Sequence, residues 1–165
     1  MYAYPAAHYR TWAEEESRSD FEFGMFGENL TLEGVDERSA HIGDRFRLGD
    51  ARLEVSHPCK PCVRLGIRFA DPTFPNRFLA SRRTGFFFRV LEEGMAVAGD
   101  TFDCESHGPG QFTVRETLEL FYGTNPEFDG TNPERSRLAE AAHLEALPYA
   151  WRQDVMRHQT RLTAG

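Results

Sequence analysis

A chain of 165 residues, 40% apolar and 27% charged, suits one globular domain or a domain with a small appendage. Such a length buries about two-thirds of the unfolded surface without disulfide staples. The formal net charge of −7 argues against nonspecific binding to nucleic acid or to an anionic membrane, leaving room only for a local basic pocket for a small anion.

No apolar run approaches the roughly 20 residues of a membrane helix. The opening "MYAYPAAHYR" lacks the basic stretch and apolar core of a secretory signal. Three cysteines, an odd number, predict reduced thiols and a cytoplasmic setting. Pro5 can open a helix, and Tyr9, Trp12 and Ala13 follow at helical spacing, with Glu14 to Glu16 as a solvated face. "FEFGMFGENLTLEG" is extended and glycine-rich, and Gly24 and Gly27 predict a loop where backbone must approach something closely. Phe46 and Leu48, then Leu53 and Val55, alternate on either side of Gly49-Asp50, which predicts a hairpin. The pattern repeats as a strand from Phe86 to Leu91, a turn at Glu92 to Gly94 and a short strand near Thr101 to Cys104. The first two-thirds of the chain thus read as mainly β, with a barrel or sandwich as the natural closure. Beyond "SHGPGQF" the pattern becomes helical. Thr113 and Glu116 form a capping box ahead of Val114, Leu118 and Phe121. A second helix is expected after Asn132 and Pro133 through Leu138, Ala141 and Ala142, and a third around Trp151 and Val155.

The candidate chemistry centres on "SHPCKPCVRL". Pro58 and Pro61 deny it regular helix, so Cys59 and Cys62 are placed on a constrained loop after the strand ending near Val55. Lys60 and Arg64 flank Cys62, and neighbouring cations favour thiolate, the form that ligates metal or attacks electrophiles. The alternative is that Cys62 is a small buried hydrophobe. Cys59, Cys62, Cys104 and His107 together have the spacing of a tetrahedral zinc site, with His57 a competing ligand. In "FGENLTLEG", Gly27, Glu28, Asn29 and Thr31 have a site's composition, though an ordinary turn into a strand reads the same way. Arg89, within the apolar strand "FFFRVL", must leave the core or meet an anion. His8, His41, His143 and His158 have no visible partners and are expected at surface or capping positions.

Taken together, "GMFGENLTLEGVDERSAHIGDRFRLGDARLEVSHPCKPCVRL" and "TGFFFRVLEEGMAVAGD" resemble the MOSC domain, named for the C-terminal domain of molybdenum cofactor sulfurases. The closest likeness is to small stand-alone bacterial members with a three-helix C-terminal extension. The resemblance implies a mainly β, barrel-like domain over residues 1–108 and a three-helix unit over 112–165. It implies a cysteine, matched by Cys62, that binds the molybdenum of a molybdopterin cofactor or carries sulfur as a persulfide. Gly27, Glu28 and Asn29 of GENL, Arg64 and Arg89 match its cofactor-binding positions. In the stand-alone subgroup it implies reduction of N-hydroxylated compounds, including hydroxylaminopurine-type base analogues, with electrons from an external donor or reductase. The sequence itself shows no flavin, nicotinamide or iron–sulfur motif. A homodimer is compatible with this reading; a nucleic-acid or membrane partner is not expected. Cys59 departs from the family loop, which usually reads P-R-x-P-C, and is either incidental or a reversible disulfide partner of Cys62. Family members also carry residues before "YAYP", including a His-Gly-Gly segment, so the chain reads as an N-terminally shortened form. The competing functions are a sulfur or cofactor carrier using a Cys62 persulfide, and a zinc-stabilised interaction module.

Overall fold

The computed structural model describes residues 1–109, 112–122, 137 and 139–153. Six strands form one mixed sheet that curves into a half-barrel, with helices against it: β1 (Tyr2–Pro5), β2 (Leu30–Leu32), β3 (Arg45–Leu48), β4 (Ala51–Pro58), β5 (Phe86–Glu92) and β6 (Phe102–Ser106). Their order is β2-β1-β5-β4-β3-β6, and every pairing is antiparallel except β1 with β2. The helices are α1 (Ala6–Glu15), α2 (Val63–Arg68), α3 (Phe74–Ser81) and α4 (Val114–Tyr122).

Strand alternation sorts the side chains into two cores. Ala3, Leu53, Val55, Phe86 and Phe88 face one way and pack with Phe112, Val114, Ala141 and Leu147. Tyr2 and Tyr4 face the other way, packing with Tyr9 and Trp12 of α1 and with Leu65, Phe69, Phe74 and Phe78. The Trp12 indole donates to the Tyr4 hydroxyl at 2.7 Å, so this aromatic core satisfies its polar atoms internally.

The β3–β4 hairpin forms as its sequence predicts, with Leu48 opposite Ala51 and Gly49 at φ +57° in the turn. The second repeat of the pattern does not close a hairpin. After β5 the chain crosses the β3–β4 turn, where Asp50 N–H donates to Met95 O at 2.9 Å. That crossing delivers β6 to the far side of β3. Strand β1 and the helices α2 and α3 lie where the sequence reads as loop or plain β. Helix α3 nonetheless has a local cause: Asp71 Oδ1 accepts from the backbone and hydroxyl of Thr73, both at 2.7 Å, and Pro75 sits in the first turn. The acidic run is not merely solvated, since Glu15 pairs with Arg83 and Glu16 with Arg77, tying α1 to α3.

The capping box forms in full. Thr113 N and Oγ1 contact Glu116 Oε2 at 2.9 and 3.0 Å, and Glu116 N–H donates back to Thr113 Oγ1 at 3.0 Å. Residues 139–142 and 149–153 are helical, in the regions where the second and third helices were expected. Asn132, Pro133, Leu138, Val155 and His158 lie outside the described residues. Among the described residues no helix is long and apolar enough to cross a membrane.

Candidate functional site

Strand β4 runs to Pro58, and the loop from Cys59 to Cys62 then leads directly into α2, with Cys62 as the residue that precedes its first turn. Cys59 N–H donates to Gly85 O at 3.0 Å, and Leu65 N–H to Cys62 O at 3.0 Å, so both ends of the loop are fixed by backbone. The two thiols then diverge. Cys59 is half-buried against the aromatic core, and burial pushes its thiol up to about 12, against a smaller lowering by the Tyr2 hydroxyl. At neutral pH it is a protonated, packed side chain. Cys62 is exposed, which sets aside the alternative of a small buried hydrophobe. No disulfide joins them.

Arg64 is exposed and makes no hydrogen bond or ion pair among the described residues. Lys60 places its ammonium 5.3 Å from the centre of the Tyr122 ring at the end of α4. His57, just before the loop, stacks on Phe87 with centroids 4.8 Å apart and meets Trp151 at 5.5 Å. Burial, the chain's N-terminal ammonium and Arg89 lower the His57 imidazole to about 4, leaving it neutral at pH 7. Tyr2, Phe87 and Tyr122 were not singled out from the sequence, and Trp151 only as a helix residue. They come from four separate segments, and only the folded sheet brings them to one place.

The remaining candidates are held by the scaffold. Gly27 has φ +82°, a conformation only glycine adopts without strain, and its N–H donates to Gly24 O. Glu28 Oε1 accepts from the Tyr9 hydroxyl, from Gly24 N–H at 2.8 Å and from the Thr31 hydroxyl at 3.1 Å. Its other oxygen, Oε2, is buried with no hydrogen-bond partner among the described residues. Asn29 exchanges two bonds with Tyr2, its side-chain oxygen accepting from Tyr2 N–H and its N–H donating to Tyr2 O, both at 2.8 Å. GENL therefore fastens the glycine loop to the sheet edge. Arg89 is exposed and also meets an anion, donating to the buried Glu54 carboxylate at 2.8 Å and to Ala146 O at 3.2 Å.

The four zinc candidates are not brought together. Among the described residues no three His, Cys, Asp or Glu side chains cluster as metal ligands. Cys104 sits on the β6 edge strand with His107 at 3.9 Å, and His107 turns its Nδ1 to Asp44 at 3.4 Å. His8 is a second correction. It is largely buried, 2.7 Å from the carboxylate of Glu37, a contact hidden in the sequence by the intervening residues.

A profile of the MOSC domain matches residues 1–103. The chain belongs to the MOSC domain family. It is 38% identical over 159 residues to YflK of Bacillus subtilis (strain 168), covering 96% of this chain and 68% of that one. It is also 38% identical over 104 residues to a protein named "Reductase" from Gibberella moniliformis, covering 61% of this chain but only 18% of the fungal protein. The crystal structure of YiiM from Geobacillus stearothermophilus superposes with a TM-score of 0.87 at 29% identity, over 96% of this chain and 77% of that one. These relatives bear out the MOSC resemblance and the mainly β fold with a small helical part.

The residues present fit a MOSC cofactor held through a single sulfur. The loop offers one exposed thiol, Cys62, because Cys59 stays protonated and packed. A soft thiolate is the ligand type suited to molybdenum beside a dithiolene. Two cations, Lys60 and Arg64, stand beside it without carboxylate partners among the described residues.

Proposed function

We propose that this MOSC protein reduces N-hydroxylated compounds, hydroxylaminopurine-type base analogues among them, with a molybdopterin cofactor held through Cys62. The observation that carries the reading is the exposed Cys62 thiol on a rigid loop, flanked by cations with no carboxylate to neutralise them. The relative named "Reductase" supports the reaction class. The cofactor supplies two-electron oxygen-atom chemistry at the metal. The chain's own residues do the rest. Cys62 anchors the metal from the junction of the loop and α2. Lys60 neutralises the cofactor's phosphate. Gly27, Glu28 and Asn29 hold the adjoining loop, Glu28 through the three bonds its Oε1 accepts. Arg89 braces the sheet through Glu54 and is assigned a positioning role. In the reaction the N–O bond breaks: R–NHOH, two electrons and two protons give R–NH2 and water.

The test is metal analysis and turnover of protein made in a host able to synthesise molybdopterin. Molybdenum should co-purify with wild type and with Cys59→Ser and be lost in Cys62→Ser. Reduction of 6-hydroxylaminopurine by a reduced viologen should follow the same pattern. Molybdenum retained in Cys62→Ser would overturn the ligand assignment. Metal-free protein carrying sulfane sulfur on Cys62 would instead establish the persulfide carrier.

A further inference from the structure

Helix α2 begins at the residue after Cys62 and turns apolar side chains into solvent. Val63 and Ile67, four apart and so on one side of the helix, are each 74% exposed. Arg64 and Arg68 form the neighbouring row, both exposed and both without a hydrogen bond or ion pair among the described residues. Lys60 faces an aromatic ring rather than a carboxylate. Arg10, Arg47, Arg52, Arg77 and Arg83, by contrast, all sit on carboxylates. In a chain of net charge −7, Arg64 and Arg68 thus set uncompensated positive charge beside exposed apolar surface, in the helix that follows Cys62.

We infer that the outer face of α2 is the docking surface for a small acidic electron-carrier protein, flavin- or iron–sulfur-bearing, that reduces the cofactor held at Cys62. This rests on the functional reading given above. In that reading the electrons come from a separate donor. Two apolar side chains make too small a patch for a permanent complex. They suit the brief encounters of redox partners, which bury less than about 1,200 Å². A row of cations around such a patch attracts and orients a carboxylate-rich partner while the apolar pair excludes water at the centre. Two one-electron deliveries oxidise two carrier molecules and supply the two electrons that N–O cleavage consumes, with both protons drawn from solvent. An anionic membrane would attract the same cations, but a six-residue helix with two apolar side chains offers little to insert.

The experiment uses holoprotein with an acidic flavodoxin and an acidic [2Fe–2S] ferredoxin as separate probes. Arg68→Glu and Ile67→Ser change exposed side chains that are given no role at Cys62 or in the GENL loop. At low ionic strength each variant should weaken binding of at least one carrier, and raise its KM, by about tenfold. Turnover driven by reduced viologen should stay at the wild-type rate. Added salt should weaken wild-type binding steeply and Arg68→Glu binding little. Carrier affinity unchanged in both variants overturns the proposal, as does wild-type protein that adsorbs to phosphatidylglycerol vesicles and binds neither carrier. Loss of viologen-driven turnover in wild type would instead count against the reductase reading, because carrier binding is read by titration independently of it.

Discussion

Cys59 and Cys62 differ by what surrounds each sulfur, and that difference can be read chemically. The Cys59 thiol is packed among aromatic rings and held protonated, whereas Cys62 stands in solvent. Iodoacetamide at pH 7.5 should therefore modify Cys62 in the native protein and spare Cys59 until denaturant is added, as peptide mass mapping will show. Rapid native labelling of Cys59 would contradict the packing. His57 supplies a pH dependence. Its folded imidazole titrates near 4, below its ordinary value of 6.5, so between these values the unfolded chain binds more protons than the folded one. Stability should be fully present above pH 6.5 and fall as pH drops toward 4. Urea midpoints for wild type and His57→Gln should converge across that window. The sequence already singles out Cys62 by its flanking cations and its match to the family cysteine, but not the packing that shields Cys59, and there His57 looked like a spare metal ligand. Burial by Tyr2, Phe87 and Trp151 decides both cases, and these residues are distant in the chain.

At the scale of elements, legibility follows how local the cause is. The β3–β4 hairpin and the Thr113–Glu116 capping box depend on residues within a few positions of one another, and both form as expected. Replacing Thr113 with Ala removes the side-chain half of that box, which should lower stability by about 1 kcal/mol in urea denaturation. A change no larger than that of an exposed helix substitution would show the box to be ornamental. The pairing of β6 with β3 rather than β5 depends on the chain crossing the Gly49–Asp50 turn, which no local pattern encodes. Helices α2 and α3 were hidden by Pro58, Pro61, Pro72 and Pro75. These residues argue against helix when counted, yet two precede α2 and one sits acceptably in the first turn of α3. The candidate loop was legible for the same local reason: its prolines and cations lie beside Cys62. The aromatic wall opposite it was not.

For the whole molecule, the question is whether the two cores flanking the sheet act as one cooperative unit. Glu37 is the residue best placed to couple them. It is 2% exposed, and its carboxylate accepts from Gly85 N–H at the entry to β5 and meets His8 of α1 at 2.7 Å. Its carbonyl accepts from Arg115 N–H at 2.7 Å, in the first turn of α4. Glu37 thus joins the aromatic side and the sheet through its carboxylate, and the helix on the opposite face through its backbone carbonyl. Glu37→Ala strands the buried Gly85 donor and the His8 ring, each bonded to a carboxylate, and should cost about 3 kcal/mol. The two tryptophans make the coupling measurable, because Trp12 lies in the aromatic core and Trp151 packs against the other. With Trp151→Phe and Trp12→Phe backgrounds, fluorescence reports each core alone. If the sheet is a single folding unit, both probes should show coincident urea transitions, and Glu37→Ala should move both midpoints down together. A shift confined to the Trp12 signal would mean that α1 and its aromatic partners open independently of the face carrying α4.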